Sequence, residues 1–222
     1  MFAEARIVAA KDLRLEWRSR VTTTQVVPFA VLTLVLFAFA IDPSRGVLGR
    51  VAPGLFWVAV LLSTTLAANR AHAVETDAGT RDMLRLSGLE PSAVFAGKAA
   101  AIVVQLLGLE IVLAAGTVVL YNVQLATPAL LLSAALPATV ALGAAGATYG
   151  ALAASVRVRE TLLPLLLLPV LAPVLIAATS ATEAAIDSTP EDGWGWAGLL
   201  VVLALLYAGA GAGIYGVLLE DQ

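Results

Sequence analysis

Cysteine is absent from the 222 residues, and histidine occurs once, at His72. The first absence excludes thiolate metal sites, disulfide exchange and a C-x-x-C-H haem attachment site. The second excludes a multi-histidine metal site within one chain; Ser/His/Asp catalysis would need that same lone histidine beside a serine, and nothing in the sequence suggests it. Lysine occurs only at Lys11 and Lys98. The glycine-rich stretch Gly143-Ala-Ala-Gly146-Ala-Thr-Tyr-Gly150 therefore has no Lys-Ser/Thr behind it and is not a phosphate loop. On this reading the chain has no ATP site of its own. Charge of either sign is scarce too: 13% of residues are Asp, Glu, Lys or Arg, about half of what a soluble domain carries.

What remains is apolar. Hydrophobic residues make up 60% of the chain and mean hydropathy is +0.92. Six runs stand out: Val21–Ile41, Val51–Ala68, Ala99–Leu120, Ala129–Ala154, Leu162–Ala178 and Ala197–Leu219. Each is near the ~20 residues that cross ~30 Å of hydrocarbon at ~1.5 Å per residue. Lipid offers backbone groups no hydrogen-bond partners, and the runs are too long for barrel strands, so they are predicted to be helices. The expected fold is an all-α integral membrane protein: a single bundle of six transmembrane helices with an interfacial helix over residues 1–20. Eleven of the thirteen Lys and Arg residues fall in alternate segments: before the first run, in Asn69–Lys98, and at Arg157 and Arg159. The other two are Arg45 and Arg50. The positive-inside rule then places both termini and the Asn69–Lys98 loop in the cytoplasm.

Several features carry more than topology. Ala3, Ile7, Ala10, Leu13 and Trp17 recur at helical spacing among basic residues, the pattern of a helix lying in the membrane interface. Basic residues, an apolar run and Ala38-Phe39-Ala40 also resemble a signal peptide, but the run is long for one, and it reads as an uncleaved first span. Glu110 lies about 18 Å past Lys98 along a helix, near mid-bilayer. An ionised carboxylate there costs about 2.5–3.5 kcal/mol, so Glu110 is a substrate-path or gating candidate, the alternative being an interhelical hydrogen bond. Gly146-x-x-x-Gly150 and Gly209-x-x-x-Gly213 read as faces for close helix packing, within or between subunits. Pro164, Pro169 and Pro173 predict a kinked or broken fifth span. Thr179–Trp196, acidic and edged by Trp194 and Trp196, is expected as an external loop.

In Asn69–Lys98, Thr80 is placed to cap a short helix over Arg81–Ser87 that ends at Gly88, and Pro91 to start the next span. So short a helix is marginal alone in water and would gain order against a partner.

The ordered set of motifs supports a family resemblance. It comprises Lys11-Asp-Leu-Arg-Leu-Glu-Trp-Arg18, Arg50-Val-Ala-Pro-Gly-Leu-Phe-Trp-Val58 with Leu61-Leu-Ser63, Asp77-Ala-Gly-Thr80, Leu89-Glu-Pro-Ser-Ala-Val-Phe-Ala-Gly-Lys98 and Leu168-Pro-Val-Leu-Ala-Pro-Val-Leu-Ile176. With these the chain resembles the CcmB family, the membrane subunit of a haem-exporting ABC transporter in cytochrome c maturation. The resemblance implies an ABC-2-type permease-like bundle without its own ATPase activity and an ATP-binding partner subunit (CcmA-like). It also implies CcmC-like and CcmD-like membrane partners, a CcmE-like haem chaperone, and haem as possible cargo rather than a bound cofactor. Where that family has Phe-x-x-Asp-x-x-Asp-Gly, this chain has His72, Glu75, Ala78 and Gly79. The ATPase-coupling residues expected are Glu75, Asp77, Gly79, Arg81, Asp82 and Arg85. Haem is often held by histidine, but His72 stands in the charged loop, at the family's aromatic position. Export of another cargo, or a scaffold that passes ATPase motion to a chaperone complex, are the competing functions.

Overall fold

The computed structural model describes residues 1–20, 22–41, 47–77, 88–124, 126–154, 159–187 and 189–220. Among them are seven α-helices and no strand: α1 (Phe2–Ser19), α2 (Val27–Ala40), α3 (Val47–Asp77), α4 (Pro91–Tyr121), α5 (Pro128–Ala154), α6 (Arg159–Ile186) and α7 (Pro190–Glu220). The protein is an all-α integral membrane protein. Helices α3 to α7 are each long and apolar enough to cross a bilayer, and α1 with α2 makes a sixth candidate if that bent pair is counted as one span.

The first apolar run, expected as one transmembrane helix after an interfacial one, opens on a π turn. Arg20 adopts a left-handed conformation (φ 53°) and ends α1, its N–H bonded to Glu16 O. A π-helical turn, Thr22–Val26, follows, and α2 begins with Pro28 in its first turn. Proline has no N–H to donate, so the turn before it can widen without losing an α-helical bond there. The two helices meet at 53°. Alone, the 14 residues of α2 reach about 21 Å, short of the hydrocarbon thickness.

The remaining helices outrun their apolar cores. Asn69–Asp77, expected as loop, continues α3, and α4 starts at Pro91, where Ala93 and Val94 N–H bond back to Glu90 O. Most of Thr179–Trp196 is also helix: α6 runs on to Ile186 and α7 begins at Pro190. Glu191 and Asp192 sit in the first turn of α7, where acids complement the helix dipole.

Pro164, Pro169 and Pro173 do not break α6, which is helical throughout. Each proline leaves the carbonyl four residues earlier without its helical donor. Beside the carbonyl of Pro169, freed by Pro173, the Tyr207 hydroxyl of α7 donates to Val170 O.

Helix α5 is the hub, packing against α3, α4, α6 and α7. Its buried face is nearly all small: Ala134, Ala138, Ala141, Ala144, Ala145, Ala147 and Ala151, with Leu130 and Leu142. Small residues let helix backbones approach in lipid, where dispersion rather than water release drives packing. A Cβ on Gly143 would stand 2.5 Å from Val103 Cγ2 of α4, and one on Gly146 3.3 Å from Thr64 Cγ2 of α3. At the α4–α7 contact Phe95 and Tyr215 rings lie 5.6 Å apart. Tyr121, closing α4, donates to Leu34 O of α2 at 2.9 Å.

Helix α1 is clamped to α4. Val8 is buried, and a Cβ on Gly97 would come within 2.6 Å of both Ala5 O and Val8 Cβ. Next to it the fully buried Lys98 reaches Asp12 Oδ2 at 3.5 Å, while Lys11 holds Asp12 Oδ1 at 3.0 Å. The face of α1 away from α4 leaves Phe2, Ile7 and Trp17 exposed.

Candidate functional site

Glu110 is buried in α4. Eleven residues separate it from Tyr121 at one end of the helix, and twelve from Lys98 near the other, about 16 and 18 Å, so it sits at mid-span. Across the helix contact, Thr139 of α5 lies eleven residues from Pro128, at the same depth. Thr139 Oγ1 is 2.6 Å from Glu110 Oε1 and 2.8 Å from Ala135 O. A hydroxyl has one proton and two lone pairs. Its proton therefore goes to one of these acceptors, and when it goes to Ala135 O, a carboxyl proton from Glu110 completes the second bond.

Glu110 also lines a cavity of about 500 Å³ between α3, α4, α5 and α6, within the usual range of ~300–1,000 Å³ for small-molecule sites. The wall is apolar, with Phe56 and Trp57 from α3, Ile111 and Val118 from α4, and Leu132 and Leu136 from α5. Thr182 and Ile186, from the end of α6, and Pro128, from the start of α5, mark the far end. The cavity thus runs from mid-bilayer toward the ends of the helices opposite Lys98. Ile111, Leu132 and Leu136 are largely exposed, so it opens sideways between α4 and α5. Trp57 is buried and donates from Nε1 to Thr182 Oγ1 at 3.0 Å; Thr182 in turn donates to Ala178 O at 2.7 Å. The Phe56 and Trp57 rings meet edge to face at 5.3 Å. Among the described residues of the lining Glu110 is the sole ionisable one, and none is His, Cys, Met or Tyr.

The other residues singled out from sequence divide. Glu75 and Asp77 fall on the last turns of α3. Gly79, Arg81, Asp82 and Arg85, and the short helix expected over Arg81–Ser87, lie outside the described residues. Gly88, the expected helix stop, has the left-handed φ of 64° that glycine accommodates. Gly146 and Gly150 are buried, Gly146 against Thr64 and Ala68 of α3. Gly209 and Gly213 approach nothing within 4 Å in this chain; between them, Gly211 is the close contact, its Cβ position overlapping the Phe95 ring and lying 2.7 Å from Thr148 Oγ1.

The family model described as CcmB protein matches residues 4–212. The chain belongs to the CcmB family. That CcmB match extends from α1 through most of α7, taking in the cavity and the Asn69–Lys98 segment alike. The chain is 34% identical over 175 residues to heme exporter protein B of Paracoccus denitrificans, covering 78% of this chain and 79% of that one. It is 32% identical over 199 residues to heme exporter protein B of Escherichia coli K12, covering 89% and 88%. With the CcmB relative of Haemophilus influenzae, also named heme exporter protein B, identity is 29% over 204 residues, covering 91% and 90%.

Thr139, the Trp57–Thr182 link, the Lys98–Asp12 pair and Gly211 are not among the residues the sequence singled out. A buried carboxyl calls for a partner, but Thr117, Thr139 and Thr148 all stand on apolar helices, and the sequence does not choose among them.

Proposed function

We propose that the chain is the membrane subunit of an ABC-type haem exporter acting in cytochrome c assembly, driven by a separate CcmA-like ATPase. The observation that carries this reading is the CcmB match over residues 4–212, with relatives named heme exporter protein B along most of their length. The ATPase docks on the cytoplasmic segment between α3 and α4, through Glu75, Asp77, Gly79, Arg81, Asp82 and Arg85. Because α3 and α4 are the helices that segment joins, a push on it acts directly on two walls of the cavity. Glu110 serves as a gating residue: its bond to Thr139 ties α4 to α5 and has to be remade if the two helices slide. CcmC-like and CcmD-like membrane proteins and a CcmE-like chaperone complete the complex, with both termini of this chain in the cytoplasm of a bacterial inner-membrane protein.

A second reading is a scaffold that passes ATPase motion to the chaperone and carries nothing. The cavity lining favours it to this extent: none of the usual iron ligands, His, Cys, Met or Tyr, is present there.

Expression in an Escherichia coli strain lacking its own heme exporter protein B, together with the cognate ATPase, tests the main reading. Restored holo-cytochrome c, read by haem staining, supports it; no restoration with the chain present in the membrane overturns it. ATP-dependent haem uptake into inverted vesicles separates exporter from scaffold. Arg81→Glu with Arg85→Glu should release the ATPase in copurification; a complex that survives the double reversal removes the docking site from that segment.

A further inference from the structure

The cavity beside Glu110 has a chemistry of its own. It is walled by hydrocarbon and two aromatic rings, has one acid at its deep end and, among the described residues, no basic residue in its lining, and it opens sideways between α4 and α5. Packing alone does not call for this: a buried carboxyl in lipid is costly, and among the described residues its hydrogen-bond partner is the Thr139 hydroxyl. We propose that this cavity is a binding site for lipophilic cations, which enter laterally from the bilayer and pair with Glu110.

Three features favour that class of ligand. An apolar body fills a cavity of about 500 Å³ and leaves hydrocarbon for hydrocarbon, with Ile111, Leu132 and Leu136 at the sideways opening. The positive charge meets Glu110 at the deep end, where low dielectric strengthens attraction between opposite charges. Phe56 and Trp57 line the same space and present π-electron density, which attracts cations further. An anionic amphiphile of the same shape would bring its charge to the acid, and a neutral one would leave the carboxyl with Thr139 alone. Cation binding in this cavity is independent of the haem-linked reading, since it is read as binding and not as cytochrome c.

Equilibrium binding of tetraphenylphosphonium to the full chain in nanodiscs of zwitterionic lipid tests the proposal, with empty nanodiscs as the partition background. Tetraphenylborate, matched in shape and opposite in charge, is the control ligand, measured in a separate sample because the two ions coprecipitate. The cation should bind saturably, and tetraphenylborate should not. Glu110→Gln should weaken the cation at least tenfold. Leu136→Trp, which obstructs the opening and leaves the acid in place, should abolish binding, so the conclusion does not hang on one variant folding. A photoactivatable derivative of the cation should label α4 and α5. Equal affinity for the borate, unchanged affinity in Glu110→Gln and Leu136→Trp, or no saturable binding to the wild-type chain each overturns the proposal.

Discussion

Glu110 and Thr139 face each other at mid-bilayer depth, 2.6 Å apart, and Thr139 also reaches Ala135 O within its own helix. One side-chain contact therefore joins α4 to the hub helix and satisfies the one acid of the cavity wall. Removing either partner leaves the other in apolar surroundings. Thr139→Val should lower stability by about 1–2 kcal/mol, typical of hydrogen bonds between membrane helices. Glu110→Gln, whose amide can still donate to Thr139, should retain most of the tie and copurify with the complex while impairing function. Unfolding of the single and double variants in detergent gives the coupling energy; strictly additive effects would mean the contact does not stabilise the bundle.

The α1–α4 clamp is equally specific. A methyl on Gly97 meets backbone oxygen and the Val8 side chain at 2.6 Å, so Gly97→Ala forces the helices apart, at about 1–3 kcal/mol for overpacking. Limited proteolysis should then cut α1 faster than in the wild type. The same Gly→Ala change at Gly108, where nothing lies within 4 Å of the added carbon, should leave proteolysis unchanged.

Lys98 is fully buried and held near Asp12, which Lys11 shares. Asp12→Asn removes the carboxylate that both ammonium groups share, one of them buried, and the loss should exceed that of a surface pair. The loss for Glu4→Gln should be much smaller, since Glu4 pairs with the exposed amino terminus and surface pairs contribute about 0–1 kcal/mol. Thermal unfolding of the two variants makes the comparison; equal losses would show that the Lys98 pair behaves as a surface pair.

Gly211 and its neighbours separate contacts within the chain from contacts outside it. Gly211→Val should destabilise the bundle because the added carbons collide with Phe95 and Thr148. Gly209→Val and Gly213→Val, with open space around both positions, should leave the monomer's stability nearly unchanged. If the Gly209-x-x-x-Gly213 face packs against another subunit, these two changes should lower the oligomer fraction on gel filtration of the purified protein. An unchanged oligomer fraction would make that face lipid-exposed.

The Trp57–Thr182 bond ties α3 to α6 at the far end of the cavity. Trp57→Phe keeps an aromatic ring and removes the donor, leaving Thr182 bonded to Ala178 O. The expected loss is about 1 kcal/mol, with intrinsic fluorescence of the remaining tryptophans reporting the unfolding. A loss above that of Phe56→Leu would assign the end of the cavity more to the bond than to ring packing.

Much of this was legible in the residues. The apolar runs mark the helices because charge is nearly absent from them, and Glu110 stands out because it is the exception. Helix ends were less legible. Val21–Ile41 reads as one span, yet Arg20 and Pro28 redirect the backbone around a π turn. Asn69–Asp77 and most of Thr179–Trp196 read as loops because they are polar, yet both prolong helices past the apolar core. Hydropathy reports which residues lipid tolerates, not where hydrogen bonding stops. Each proline of α6 removes one helical donor, yet the helix runs on through all three.

By itself the sequence determined that this is a helical membrane protein of the CcmB kind, because long uncharged runs have no other stable form in lipid and the motif order is spread along the whole chain. Tertiary structure decided the pairings: Thr139 for Glu110, Asp12 for Lys98, Phe95 against Gly211. Those choices depend on helix rotation and depth, and the spanning helices α3 to α7 are apolar nearly all round, so their sequences carry no amphipathic stripe to announce which face turns inward. Only the fit of small residues on α5 and of the glycines at the helix contacts selects that rotation, and fit is a property of two surfaces together.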